Sequence, residues 1–195
     1  MTNTAATRAR PTWPFAVMAV VPLVAAVVLW TMGRVLWCKQ GDLLPYSFDI
    51  WSAHNSQHLL DPYTFTHVLH GVVFYGILRA IFGPERFRIR LMVAVVIESI
   101  WEVVENSSWI IDKYREATIS LDYNGDSVAN SMADIVACVG GFMLAATLPA
   151  WGSVAFFLIV EVVLALWIRD SLILNIVMLT VPLDVIKEWQ MGNSP

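Results

Sequence analysis

Charge is what this chain lacks most. Only 14% of its 195 residues are Asp, Glu, Lys or Arg, against about 25% in a typical soluble domain. A water-covered globule is hard to build from that composition. The few basic residues gather into no patch or stripe, so nothing points to a nucleic-acid partner. Cysteine is scarcer still. Cys38 and Cys138 are too few for a disulfide framework and lack metal-finger spacing; Cys138, inside an apolar run, reads as a small packing residue. Also missing are a His-Glu-x-x-His motif, a Cys pair and any acidic-pair motif that names a reaction. No internal repeat or low-complexity tract interrupts the chain.

What is plentiful is apolar. The chain is 57% hydrophobic with nine Trp and a mean hydropathy of +0.63, which predicts an all-α, polytopic transmembrane bundle. A window of roughly 20 residues, the length that crosses about 30 Å of hydrocarbon, predicts six spans at 14–33, 64–82, 91–111, 128–149, 153–168 and 171–187. The last two are short and separated only by Arg169 and Asp170, and Pro182 interrupts the sixth. Five spans plus a re-entrant or interfacial helix is therefore the alternative. The first run follows Arg8 and Arg10, exceeds a signal-peptide core of about 7–15 residues and has no cleavage site after it, so it reads as a retained anchor. The division is a flexible cytoplasmic segment 1–12, a single transmembrane domain 13–190 and a short tail 191–195.

Orientation follows from basic residues near span ends. Arg8 and Arg10 precede the first span and Arg86, Arg88 and Arg90 fill the link between the second and third, which puts both on the inner side. Acids dilute the basic residues of 34–63 and 112–127, the expected outer loops. An even number of spans then returns Lys187 and the C-terminus inside. Trp13, Trp37, Tyr63, Trp109, Trp151 and Trp189 fall near the expected span ends, where aromatic belts form.

With depth assigned, the polar residues converge on the outer half. Glu98, Glu102 and Glu105, spaced four and three apart, form one helical stripe with Asn106 beside them. Asp126, Asn130 and Asp134 form another, continued by Cys138. His70 lies deep enough to face both, whereas His67 falls near a span end and is expected at the interface. Asn175 of the sixth span is expected to join them. The 112–127 loop, and the long loop 38–63, are placed to roof the pocket. Ionisable groups inside a membrane span are costly and usually functional.

The blocks HLLDPYTFTHVLHG (58–71), ESIWEVVENSSWIIDKYREATISLDYNGDSVANSMAD (98–134) and RDSLILNIVMLTVPLDVIKEWQ (169–190) resemble a bacterial family of small multi-pass inner-membrane proteins known only as a domain of unknown function. The resemblance covers most of the chain and implies location and topology, with no activity. More loosely, Asp61 to His70 followed by Glu98, Asp126, Asn130, Asp134 and Gly140 is similar to the acidic, His and Asn pattern of VanZ-like membrane proteins, which are associated with glycopeptide resistance. Asp61-Pro62 stands where that pattern has Asp-Lys, and no mechanism is carried over.

Carboxylates with imidazole in a dry cavity suit a hard or borderline divalent metal. On that reading His70, Glu98, Glu102, Asp126 and Asp134 are the metal ligands, and Glu102, Glu105, His70 and Asp134 the catalytic candidates. Lys113, Arg115 and Asn130 are the substrate-binding candidates, with Lys113 and Arg115 clamping an anionic head group; their plainer reading is a juxtamembrane pair. The partner is the bilayer, and the substrate a lipid or lipid-linked phosphate. Two other readings stand beside this metal-dependent hydrolase: a proton-coupled transporter, and a scaffold whose acids make interhelical hydrogen bonds of about 1 kcal/mol each. Oligomeric state is not legible.

Several further features read as structural. His54 and His58, four apart in a polar loop, are expected to be solvated. Asp122 to Asp126 begins like a calcium loop, yet Ser127 and Ala133 occupy positions that require Gly and Glu. A turn at Asn124-Gly125 and a helix cap at Asp126 or Ser127 are expected instead. Asn106-Ser107-Ser108 matches a glycosylation triplet but lies within a predicted span. Gly140-Gly141 is expected to admit a neighbouring helix closely.

Overall fold

The computed structural model describes residues 11–117 and 123–192. Arg8 and Arg10, Asp122, and most of the expected N-terminal segment and C-terminal tail lie outside the described residues. Eight α-helices follow in order among those described: α1 (Trp13–Thr31), α2 (Thr64–Phe82), α3 (Phe87–Glu105), α4 (Ser108–Ala117), α5 (Val128–Thr147), α6 (Ala150–Trp167), α7 (Leu172–Thr180) and α8 (Asp184–Met191). A 3-10 turn at Pro84–Arg86 links α2 to α3, and an isolated bridge pairs Tyr46 with Leu60. The fold is an all-α bundle.

Four of these helices, α1, α2, α5 and α6, are long and apolar enough to cross a membrane. They turn Leu23, Val27, Val136, Leu158 and Ile159 outward, a surface that suits lipid and not water. α3 matches α1 and α2 in length at 19 residues but carries Arg88, Arg90, Glu98, Glu102 and Glu105. Its charges are tolerated because the bundle covers them: Arg90, Glu98 and Glu102 are buried.

The first, second, fourth and fifth expected spans agree with the helices found. The other two need correction. The third ends at Glu105 and not at 111, because Asn106 turns its side chain back onto the Glu102 carbonyl and across to Asp126. The chain restarts as α4 at Ser108. The sixth span does not form. Pro182 has no N–H to continue α7, so 171–187 breaks into α7, of nine residues, and α8, of eight. At about 1.5 Å per residue neither crosses 30 Å of hydrocarbon. The chain end also returns to the α6–α7 junction: Gln190 donates to Asp170 at 3.3 Å and Arg169 to the Trp189 carbonyl at 2.6 Å. Lys187 donates to the Glu116 carbonyl in α4. Four helices of membrane-crossing length and apolarity, with α3 beside them and α7 and α8 folded back, replace both the six spans and the alternative of five plus a re-entrant or interfacial helix.

Glu161 of α6 explains how the reversal is held. Its two carboxylate oxygens accept the Leu172 and Ile173 N–H groups at 3.0 and 3.1 Å, capping the start of α7 from a neighbouring helix. Ser171 caps the same turn through Leu174. Asp170 lies buried beside them and accepts from the Ser171 N–H and the Asn175 amide. Burial pushes its carboxyl up to about 7. A folded-state pKa above the unfolded value means the native state holds the extra proton, so this group's stabilisation is complete below about pH 4 and is lost as pH rises through 7. Asp170→Asn is expected to flatten the fall in thermal midpoint between pH 4 and 7, read by thermal unfolding in detergent. An unchanged pH profile would remove Asp170 as its source.

The closest packing joins α2 to α5. A Cβ on Gly71 would fall 1.9 Å from the Cys138 carbonyl oxygen, and one on Gly141 would fall 1.9 Å from that of Val68. The two backbones touch through these glycines. Gly141 makes the expected close approach, while Gly140 faces open space. Past this contact, away from Asn106 and Asp126, the bundle is filled by Leu78, Ala94 and Phe142, with Phe74, Tyr75, Phe82 and Phe87 packed against them.

Candidate functional site

The start of α2, the end of α3 and the start of α5 meet at one end of the bundle, around a cavity of about 410 Å³. Among the residues that line it is the buried His67. The His67 Nδ1 lies 2.7 Å from Glu98 Oε1 and 3.3 Å from Glu102 Oε1, and its Nε2 lies 4.0 Å from Asp134 Oδ2. His70, one turn on, places its Nδ1 3.0 and 3.1 Å from the two oxygens of the same Glu98. An ionised carboxylate only accepts, so both imidazoles donate to Glu98 from Nδ1, and in the neutral ring the lone pair is then on Nε2. A carboxylate holding imidazoles by one nitrogen while the other stays available is the arrangement found behind metal-ligating histidines.

Around this pair stand acceptors without donors. Both oxygens of Glu102, Oε2 of Glu105 and Oδ1 of Asp134 are buried with no hydrogen-bond partner. Orphaned carboxylate oxygens in a dry site are costly unless a cation or proton compensates them. Two donor sets are compact enough to hold one ion, His67 with His70 and Glu98, and His67 with Glu102 and Glu105, each with donor atoms within 4.8 Å of one another. His67 belongs to both.

Asp126 and Asn130 are occupied differently. Asp126 accepts from the Asn106 amide and the Tyr123 hydroxyl, both at 2.8 Å, and donates its own N–H to Asn106 Oδ1. Burial holds its carboxyl above the usual range. Asn130 donates to the His58 carbonyl and to Asp61, so it ties the 54–61 loop to α5. Ser127 supplies the expected helix cap, accepting from the Asn130 N–H at 3.1 Å. Asp61, at the entrance to α2, accepts the Thr64 N–H; burial, then the neighbouring Asp126 charge, pushes its carboxyl up to about 6.

The walls are apolar. Phe74, Ile97 and Trp101 line one side, and Phe157, Ile173 and Ile176 the other. Among the described residues the lining includes six acids and two histidines, with no lysine or arginine.

The structure thus brings together His70, Glu98, Glu102, Glu105 and Asp134, and sets Asp126 and Asn130 at the margin. It does not bring Lys113 or Arg115 to the cavity. Lys113 donates to the Leu179 carbonyl and lies over Trp109; Arg115 donates to the Tyr123 carbonyl and the Asn124 side chain. His67, expected at the interface, is buried at the centre. The signal for it is its three-residue spacing from His70, which places both rings on one face. Asp61 and Asp170 also line the cavity unforeseen, each at a helix junction, while Asn175 lines it as expected.

Residues 29–192 match the family model described as protein of unknown function, DUF2585. The chain belongs to this family. A UPF0314 protein of Paracoccus denitrificans is 46% identical over 183 residues, 94% of this chain and 93% of the relative. One from Agrobacterium fabrum is 44% identical over 185 residues, covering 95% and 93%, and one from Rhizobium meliloti 42% identical over 180 residues, covering 92% and 91%. No solved structure matches. The looser similarity to VanZ-like proteins finds no support in these matches. The DUF2585 region includes every cavity residue named above.

Proposed function

We propose that this DUF2585 protein is a membrane-embedded hydrolase that uses a divalent metal on the polar end of an amphiphile, a lipid or lipid-linked phosphate. The observation that carries the reading is the buried His67, with the orphaned oxygens of Glu102, Glu105 and Asp134 around it, against a pocket walled by Phe74, Ile97, Trp101, Phe157, Ile173 and Ile176. Such a donor set fits a hard or borderline ion. His67, Glu102 and Glu105 would hold it, with His70 and Asp134 beside them and Glu98 fixing both imidazoles. The ion would supply Lewis acidity and a nucleophilic water near neutral pH. It would also supply the positive charge that a phosphate needs here, because the lining has no lysine or arginine among the described residues. Asp134, with Oδ1 unpaired and in the cavity lining, is placed to take a proton from water. The apolar walls suit an acyl or prenyl chain.

Proton-coupled transport needs a path through the bundle. The acids stop where Leu78, Ala94 and Phe142 pack, which favours chemistry in a dead-end pocket. A scaffold has no use for buried acceptors without donors.

The membrane is taken to be the bacterial inner membrane. Arg86, Arg88 and Arg90 sit at the end opposite the pocket, so positive-inside reasoning directs the pocket to the outer face. If α3 crosses with the four apolar helices, the N-terminus is cytoplasmic. The C-terminus, held at the pocket end, is then periplasmic and not cytoplasmic.

Manganese uptake tests the reading. The detergent-purified protein is expected to quench the electron paramagnetic resonance signal of about one equivalent of aqueous Mn²⁺, and Glu102→Gln to weaken uptake at least tenfold while keeping the fold. The loaded wild type, but not Glu102→Gln, is expected to release phosphate from a lipid phosphate. Failure of the wild type to take up Mn²⁺ sinks the proposal.

A further inference from the structure

The long loop between α1 and α2 gathers a second set of metal-ligating side chains, none of which lines the pocket. Cys38 Sγ lies 3.3 Å from His54 Nδ1, and His58 Nε2 lies 3.3 Å from that same nitrogen. One donor atom from each of the three falls within 4.8 Å of the others. Asp42 Oδ2 is 4.0 Å from His54 Nδ1. Cys38 and His58 are buried, at 6% and 0% exposure. The expectation that His54 and His58 are simply solvated does not describe this loop.

Protons alone do not account for the arrangement. The Leu44 carbonyl lies 2.5 Å from His58 Nδ1, and a carbonyl only accepts, so His58 carries its proton there and directs a bare Nε2 inward. His54 Nδ1 then has at most one proton for two close neighbours. A backbone carbonyl fixing the tautomer of an imidazole is the outer-shell support that zinc-ligating histidines receive. The spacing fits as well. With Zn–N near 2.05 Å and Zn–S near 2.3 Å, the edges of a tetrahedral site are about 3.3 Å for N···N and about 3.6 Å for S···N. Trp37 braces the set, packing its ring edgewise on His58 and donating to the Asp42 carbonyl at 2.6 Å.

We propose that Cys38, His54 and His58 bind Zn²⁺ as a structural site, with Asp42 as the fourth ligand. A thiolate and two imidazoles select zinc over the harder ions that suit the acidic pocket. On binding, the Cys38 thiol gives its proton to solvent and the sulfur forms the Zn–S bond, with no change of oxidation state. The site crosslinks positions 38, 42, 54 and 58 of an otherwise irregular loop. That loop is tied to the start of α5: the Ser56 and Gln57 carbonyls accept from Ser127, and the His58 carbonyl accepts from Asn130. Asn55, Ser56 and Asp61, from the same stretch, line the cavity. Zinc here fixes one wall of the pocket without touching its contents, and the inference does not rest on the hydrolase reading.

The test is cobalt substitution of the full chain in detergent, beside elemental analysis of the protein as purified. The wild type is expected to retain about one zinc after dialysis against a weak chelator. Exchanged with Co²⁺, it is expected to show tetrahedral visible bands and a thiolate-to-cobalt charge-transfer band. Cys38→Ser removes the charge-transfer band and weakens metal retention at least tenfold; His67→Ala, in the pocket, leaves both intact. Because a variant can fail to fold, the wild type supplies a second readout: chelation is expected to speed maleimide labelling of Cys38 at least tenfold. A wild type without the charge-transfer band, a band that persists in Cys38→Ser, or labelling indifferent to chelator overturns the site. Loss of Mn²⁺ uptake with the cobalt spectrum intact instead marks failure of the pocket reading alone.

Discussion

His67→Ala is expected to abolish Mn²⁺ uptake and to lower stability by about 1–3 kcal/mol, the range for leaving a buried acceptor without its donor. The size follows from where the ring sits. Its Nδ1 is within 3.3 Å of both Glu98 and Glu102, and its Nε2 is 4.0 Å from Asp134. Removing it takes the donor from Glu98 and the nearest imidazole from Glu102 and Asp134. It also removes the member that the two compact donor sets share. The double variant His67→Ala/Glu98→Gln separates these effects: neutralising Glu98 is expected to recover part of the thermal midpoint and none of the Mn²⁺ uptake. His70→Ala is the milder comparison, since that ring is more exposed and touches only Glu98 among the acids. If His67→Ala unfolds at the wild-type temperature, His67 is not the counter-group of this cluster.

How much of the site the chain announces depends on periodicity. The Glu98, Glu102 and Glu105 stripe and the Asp126, Asn130 and Asp134 stripe are legible because a helix of 3.6 residues per turn puts such spacings on one face. Antiparallel neighbours then bring the stripes to one level. The burial of His67 is not legible, because hydropathy marks where α2 starts but not that Asn55, Ser56 and Asp61 fold over its first turn. Lys113 and Arg115 mislead for a related reason. They follow the Glu stripe closely in sequence, yet Asn106 ends α3 and α4 carries them onto Leu179 and Tyr123. The Cys38, His54 and His58 cluster is beyond any period, since its first two members stand 16 positions apart in an irregular loop.

The fold divides the same way. Length and apolarity find α1, α2, α5 and α6 to within a few residues. They overreach at 171–187, where composition is apolar enough for a span and backbone chemistry forbids one. Pro182 removes the donor that would continue α7, and Glu161 spends its carboxylate on α7's first N–H groups. The capping partner lies in the preceding helix, and only the folded structure shows it.

Gly141→Ala is expected to damage the site from a position that no pocket group touches, whereas Gly140→Ala, one residue away, is expected to leave it intact. A Cβ at 141 would stand 1.9 Å from the Val68 carbonyl oxygen. Backbone cannot rotate out of the way as a side chain does, so α2 and α5 must move apart, at a cost of about 1–3 kcal/mol or more. Val68 immediately follows His67, and Asp134 lies about two turns before Gly141 on α5. Their 4.0 Å separation therefore widens with the helices. A misplacement of about 1 Å in such a site is worth about 100-fold in rate, and Mn²⁺ affinity is expected to fall with it. At Gly140 nothing lies within 4 Å, and exchanging a helical glycine for alanine gains about 0.5–1 kcal/mol. Thermal midpoints and Mn²⁺ titrations of the two variants should thus move in opposite directions or not together. Equal behaviour of the pair would mean that the α2–α5 backbone contact does not set the spacing of the acids.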